Sequence, residues 1–158
     1  MRDIYGRNPW RNWRRLLQID RERLLTLLED IQRQVLFIER VTSEDLKSFL
    51  SCEEKVYGLR YAVIQAVEAM AGVCVHLMAR AFSRSSESYA GCFQIMGEEG
   101  VLDEDLASKL AAMARLRNLL VHRYWDVDDS RVFLYCREGV KDLRCFVSSV
   151  ARFLGGVA

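Results

Sequence analysis

Residues 56–81 read VYGLRYAVIQAVEAMAGVCVHLMARA. Val56, Leu59, Val63, Val67, Met70, Cys74, Leu77 and Ala81 recur at alternating steps of three and four, the repeat of one helix face rather than the two-residue alternation of a strand. A stripe kept up over that length predicts a long helix packed lengthwise against other long helices. The whole chain of 158 residues holds a single proline and few turn clusters, which excludes the frequent punctuation an all-β sandwich or barrel needs. The fold class is therefore all-α.

The flanking segments repeat the pattern. Leu24, Leu27, Ile31, Val35 and Ile38 predict a first helix over about Ile19 to Arg40. Thr42 to Asp45 (TSED) carries a start signal for a short helix through Leu50, and Ser51 to Glu54 (SCEE) repeats that signal before the long helix. The long helix ends in the loop Ser83 to Ser88. A short helix over Tyr89 to Met96 is expected to close at Gly97, with Gly100 completing a turn. Asp103 then caps a helix that carries Leu106, Leu110, Met113 and Leu120 inward and reaches His122. A last helical stretch, Ser130 to Leu154, carries Val132, Val140, Leu143, Phe146, Val147, Val150 and Phe153; a break is expected at Gly139 and a stop at Gly155 and Gly156. The reading is a single domain over 19–158, a bundle of four main antiparallel helices plus short ones, preceded by an extension over 1–18. Arg60, Gln65, Glu68 and His76 lie beside the apolar stripe of the long helix and read as boundary or solvated residues.

Composition narrows the functional classes. With 51% hydrophobic and 28% charged residues, the chain can bury roughly 70% of its unfolded surface as one domain. The formal net charge is +1, so no global field recruits nucleic acid, and any RNA binding must come from a local basic patch. Such a patch is present near the start, where residues 1–23 hold seven arginines against three acids. Cysteines 52, 74, 92, 136 and 145 are odd in number and form no C-x-x-C pair; within apolar helical patterns they read as reduced core residues. With only two histidines and no His or Cys cluster, neither a metal nor a cofactor is called for. No apolar signal region opens the chain and no uninterrupted apolar run approaches a bilayer's thickness, so a soluble, cytoplasmic protein without membrane contact is expected.

Chemistry concentrates in Met113 to Arg131, MARLRNLLVHRYWDVDDSR, where Arg117, Asn118, His122 and Tyr124 fall within eight residues. At about 100° per residue, Asn118 and His122 share a face, and the amide is placed to orient the imidazole. Arg117 and His122 diverge by about 140°, so one helix does not easily aim both at one atom. A second copy of the helix in a symmetric dimer would supply the missing group. A permanent guanidinium and an imidazole that titrates near neutrality suit metal-free phosphodiester chemistry on RNA: a base activates the ribose 2′-hydroxyl while a fixed cation stabilises charge on phosphorus oxygens. Asp126, Asp128 and Asp129 read as helix caps rather than metal ligands.

The run RNLLVHRYWDVDD, from Arg117 to Asp129, and the segment SYAGCFQIMGEEGVLDEDLASKLAAMARLRN before it resemble HEPN-domain toxins of the HepT type, over about Ile19 to Leu154. The resemblance implies an all-α homodimer with ribonuclease activity at the subunit interface. Arg117 and His122 would be its catalytic residues, Asn118 a supporting one, and Tyr124 the point at which an MNT-type nucleotidyltransferase antitoxin silences it by nucleotidylation. The same residues would also serve a non-catalytic helical module that docks such a nucleotidyltransferase or senses a nucleotide. In the extension, Arg7, Trp10, Arg11, Trp13, Arg14 and Arg15 combine cations with stacking surfaces, as an RNA-binding arm would; packing of the tryptophans on the domain is the alternative.

Overall fold

The structure, a computed structural model, describes residues 16–156. Four long helices make the bundle: α1 (Arg21–Thr42), α3 (Glu53–Leu77), α5 (Glu104–His122) and α6 (Asp129–Gly155). Two short ones, α2 (Leu46–Leu50) and α4 (Tyr89–Glu98), fill the connections, and no strand occurs among the described residues. The chain is all-α, as its periodicity requires.

The 56–81 stripe becomes the centre of the bundle. α3 touches every other helix, while α1 lies along both α3 and α6, and α4 lies along α5. Ala66, Val67, Met70, Val73, Cys74 and Leu77 have no exposed surface. With the wider turn Met78–Phe82 that continues it, α3 is long and apolar enough by composition to cross a bilayer; 61% of that apolar window is already buried among its neighbours, as in the core helix of a bundle. Aromatic pairs close the ends of the core: Phe49 on Phe133 at 4.7 Å and Phe93 edge-on to Phe146 at 6.2 Å.

Caps set the helix ends, and here the sequence reading needs adjusting. α1 starts after Asp20, whose carboxylate accepts from the Arg23 N–H at 3.0 Å, and runs on to Thr42, past the expected Arg40. Its last carbonyl and that of Glu44 just beyond it are held from α6, because Arg137 donates to the oxygens of Thr42 and Glu44 at 2.9 and 2.7 Å. Leu16, inside the expected extension, already packs against the core. α4 does not close at Gly97. It continues to Glu98, and Gly100, at φ +78°, makes the left-handed stop, with the Gly100 and Val101 N–H groups donating to Gly97 and Met96. Gly97 serves a different need: a Cβ there would lie 2.9 Å from that of Ala107, so α4 and α5 cross where only hydrogen fits. Of the cysteines, all free, Cys74, Cys92 and Cys136 are buried. Cys145 is exposed and Cys52 half-buried, against expectation: the first lies on the outer face of α6 and the second at the α3 N-cap position. Burial pushes the Cys136 thiol up to about 12 and those of Cys74 and Cys92 above their ordinary range, which keeps them unreactive.

The expected break at Gly139 does not occur. α6 runs unbroken from Asp129 to Gly155, because Gly139 is buried in a stretch whose flanking residues Cys136 and Leu143 anchor both sides in the core. A Cβ at Gly139 would meet Met113 Cε at 3.5 Å, an ordinary contact, so space does not require the glycine. Gly139→Ala should therefore stabilise the fold by about 0.5–1 kcal/mol through the helix-interior preference, read as a higher urea midpoint with an unchanged m-value. A lower midpoint would show that the Met113 contact cannot adjust.

Candidate active site at the end of the fifth helix

Asp103 opens α5, its carboxylate accepting from the Leu106 N–H at 2.8 Å, and Leu106, Leu110, Met113 and Leu120 bury one face. That anchoring fixes where the motif residues point. Arg117 is directed inward, its side chain 20% exposed. Its Nη2 donates to Glu68 Oε1 on α3, Nη1 donates to Asn118 Oδ1 at 3.0 Å, and the guanidinium carbon lies 5.2 Å from the centre of the Tyr89 ring on α4. The second oxygen of Glu68 accepts from the Tyr89 hydroxyl at 2.8 Å. Tyr89 thus takes the oxygen that a two-pronged pair would offer to the arginine, and Arg117 Nε is buried without a partner. The ion pair is held from one side only.

His122 ends α5 and is exposed. The structure brings Arg117 and Asn118 together, but it leaves the imidazole on the outer face of the last turn, as the 140° divergence requires. Asn118 does not orient His122 as expected: its amide oxygen is taken by Arg117, which turns toward Glu68 and so passes beside it.

Arg123 leaves the helical conformation and the chain makes one 3₁₀ turn, Tyr124–Asp126. Tyr124 sits edge-on to Trp125, ring centres 5.2 Å apart, and remains 59% exposed. The turn is clamped by Arg60 of α3, which donates Nη1 to the Tyr124 carbonyl at 3.2 Å and makes a two-pronged pair with Asp129 at 2.7 and 2.8 Å. Asp128 caps α6 through the Ser130 and Arg131 N–H groups, whereas Asp126 pairs with Arg123 at 2.5 Å. The three aspartates are thus spent separately, and no group of three metal-ligating side chains gathers among the described residues. The arm residues Arg7, Trp10, Arg11, Trp13, Arg14 and Arg15 lie outside the described residues.

Sequence reasoning passed over Glu68, Tyr89 and Arg60. A charge inside an apolar helix stripe was the available signal, since it must find a partner or reach water. The partner could not be named, because Glu68 meets Arg117 across 49 residues and Arg60 meets Asp129 across 69.

The fold and the site define an all-α helical domain that carries an arginine, an amide, a histidine and a tyrosine within eight residues at the end of one helix. The comparisons name its family: Ribonuclease HepT-like matches residues 31–150, and the chain belongs to that family, a HEPN domain. It is 25% identical over 129 residues to the tRNA nuclease HepT of Aphanizomenon flos-aquae (strain 2012/KM1/D3), covering 82% of this chain and 88% of the relative. Among solved structures, the tri-AMPylated Shewanella oneidensis HEPN toxin in complex with MNT antitoxin superposes with a TM-score of 0.76 at 17% identity, over 82% of this chain and 97% of the toxin. The cytosolic protein YutE of Bacillus subtilis gives 0.76 at 19% identity, over 87% and 92%. The last two show the shared fold.

The Glu68 hydrogen bond raises the Tyr89 phenol above its ordinary value of 10.0, with burial adding to the effect. Because the folded value lies above the unfolded one, this contribution is fully present below about pH 10 and is lost as pH rises through the raised value. Ultraviolet titration of wild type minus Tyr89→Phe should show one phenol ionising late, and Glu68→Gln should bring it earlier. A Tyr89 midpoint unaffected by Glu68→Gln would rule out the bond.

Proposed function

We propose that the chain is a cytoplasmic, metal-independent endoribonuclease toxin that acts as a homodimer and is silenced by an MNT-type nucleotidyltransferase antitoxin. The observation that carries the reading is the divergence of Arg117 and His122. One is seated against Glu68 and Tyr89 and the other is exposed, five residues on along the same helix. Each is competent for half of a phosphodiester cleavage, and a symmetric copy supplies the other half. The surface around them suits that association: Tyr57 and Tyr61 on α3 and Tyr124 and Trp125 on the turn are 58%, 62%, 59% and 67% exposed. The family membership and the tRNA nuclease relative support RNA as the substrate.

In this reaction His122 removes the proton of a ribose 2′-hydroxyl. The oxygen attacks the adjacent phosphorus, the bond to the 5′-oxygen breaks, and that oxygen leaves with a proton. The products are a 2′,3′-cyclic phosphate and a 5′-hydroxyl. Arg117 stabilises the charge on the non-bridging oxygens, and Asn118 supports it by fixing the guanidinium plane. The incoming phosphate competes with Glu68 for that guanidinium, and the one-sided pair leaves Arg117 able to respond.

Purified protein should cleave mixed cellular RNA in EDTA, and His122→Ala should lower the rate by about 10² to 10⁴. Mixing His122→Ala with Arg117→Ala subunits should restore part of the activity if the site is shared. Full loss in EDTA with recovery in magnesium would overturn the mechanism, and no turnover by wild type would leave a non-catalytic docking module.

Tyr124 is the proposed control point. It is exposed, and its carbonyl is fixed by Arg60, so an adenylyl group on its hydroxyl would place an anion and a nucleoside beside the site with no change of fold. The AMPylated relative supports this reading. Tyr124→Phe should keep substantial ribonuclease activity yet escape neutralisation by the cognate nucleotidyltransferase with ATP, measured by toxicity on co-expression and by intact mass. A silenced wild type carrying no added mass would show inhibition by contact alone.

A further inference from the structure

A groove of about 350 Å³ runs along α3 from the Arg117 site toward the start of α1. Glu68 and Tyr89 line one end, Arg23 and His76 the other, with Ala71, Gly72 and Val75 between them and Ala79 one turn beyond His76. From Glu68 to Ala79 the helix rises about 16 Å, which exceeds one nucleotide unit. Tyr89 is fixed by its hydroxyl and offers an aromatic wall next to the guanidinium of Arg117.

The far end is electropositive. Arg23, which lines the groove, and Arg80, one turn beyond His76 and outside that lining, both work, after burial, against protonation of His76, opposed by Asp20. Neither arginine is paired with an acid among the described residues, and both are exposed. His76 accepts the Asp20 N–H on Nε2 at 2.9 Å, so in the neutral ring Nδ1 carries the proton and is a hydrogen-bond donor. Two such cations and a neutral donor suit a phosphate.

We propose that this groove binds the RNA strand flanking the scissile phosphate, a base against Tyr89 and the next phosphate on Arg23, His76 and Arg80. The inference rests on the ribonuclease reading for its orientation. It extends the site from a cleavage point to a track, and it implies selection for single-stranded RNA, whose bases are free to enter a groove with an aromatic wall.

The test is binding of a single-stranded 2′-O-methyl RNA, which offers no 2′-hydroxyl to attack, by the full chain in a potassium chloride series. The double variant Arg23→Ala/Arg80→Ala should weaken binding about tenfold or more at low salt and flatten the plot of log affinity against log salt by about 0.7 for each phosphate no longer neutralised. Arg33→Ala, the loss of one exposed cation farther along α1, should leave the slope in place. Thermal unfolding of each variant checks the fold. An unchanged slope in the double variant, or an equal drop in Arg33→Ala, would overturn the proposal, as would loss of all binding on deletion of residues 1–15 with none in the double variant. If wild type cleaves no RNA but binding falls as stated, the ribonuclease reading fails and the groove stands as an RNA site. If wild type cleaves RNA and the variants bind as it does, the groove alone is refuted.

Discussion

Burial of α3 on almost every side is the constraint from which the rest follows. A helix whose central residues have no exposed surface has little solvent in which to place a charge, so each polar residue it carries must be met by a neighbouring helix. Arg60, Glu68 and His76 are three such residues, eight apart, that neighbours meet. Eight residues advance a helix about 12 Å and turn it about 80°, so each faces a different part of the bundle. Arg60 meets the first residue of α6, Glu68 meets α5 and α4 together, and His76 meets the chain entering α1. These contacts join α3 to four of its neighbours by directional bonds where apolar packing alone would allow sliding.

The same contacts place the chemistry. Arg117 is where it is because Glu68 and Tyr89 hold it, and the turn bearing Tyr124 is where it is because Arg60 grips both its carbonyl and Asp129. Arg117, Asn118, His122 and Tyr124 lie within eight positions of one another, yet their supports come from α3 and α4. Substitutions at Arg60, Glu68 or Tyr89 would therefore reach the site without touching a motif residue. Burying an arginine with one donor unmet costs about 1–3 kcal/mol. A fully paired Arg117 would avoid that cost and would also have less reason to turn toward a phosphate.

Much of the fold was legible because it is local. The stripe from Val56 to Ala81, the Asp103 and Asp128 caps and the turn at Gly100 depend on residues a few positions apart, within reach of periodicity and capping rules. What failed is non-local. Gly139 looks like a breaker until Cys136 and Leu143 are seen buried on either side of it, and Gly97 looks like a stop until Ala107 is seen against it. The candidate site divides in the same way. The candidate residues Arg117, Asn118, His122 and Tyr124 could be quoted from the sequence, but the bond of Asn118 to Arg117 depends on where Glu68 draws the guanidinium, and that is set by helix packing.

The divergence of Arg117 and His122 ties the architecture to the chemistry. Five residues on a regular helix cannot be made to converge by side-chain rotation alone when one of the two is drawn inward by a core carboxylate and the other stands on the last exposed turn. A single chain could close the gap by unwinding α5, but Leu120 is buried between the two residues and the Arg123 N–H still bonds Leu119, so the last turn is held in register. Association with a second copy requires no such distortion. In the proposed dimer it would add the missing group from outside and cover exposed tyrosines and a tryptophan. The proposed activity would then depend on a surface that includes the exposed Tyr124, the proposed point of modification.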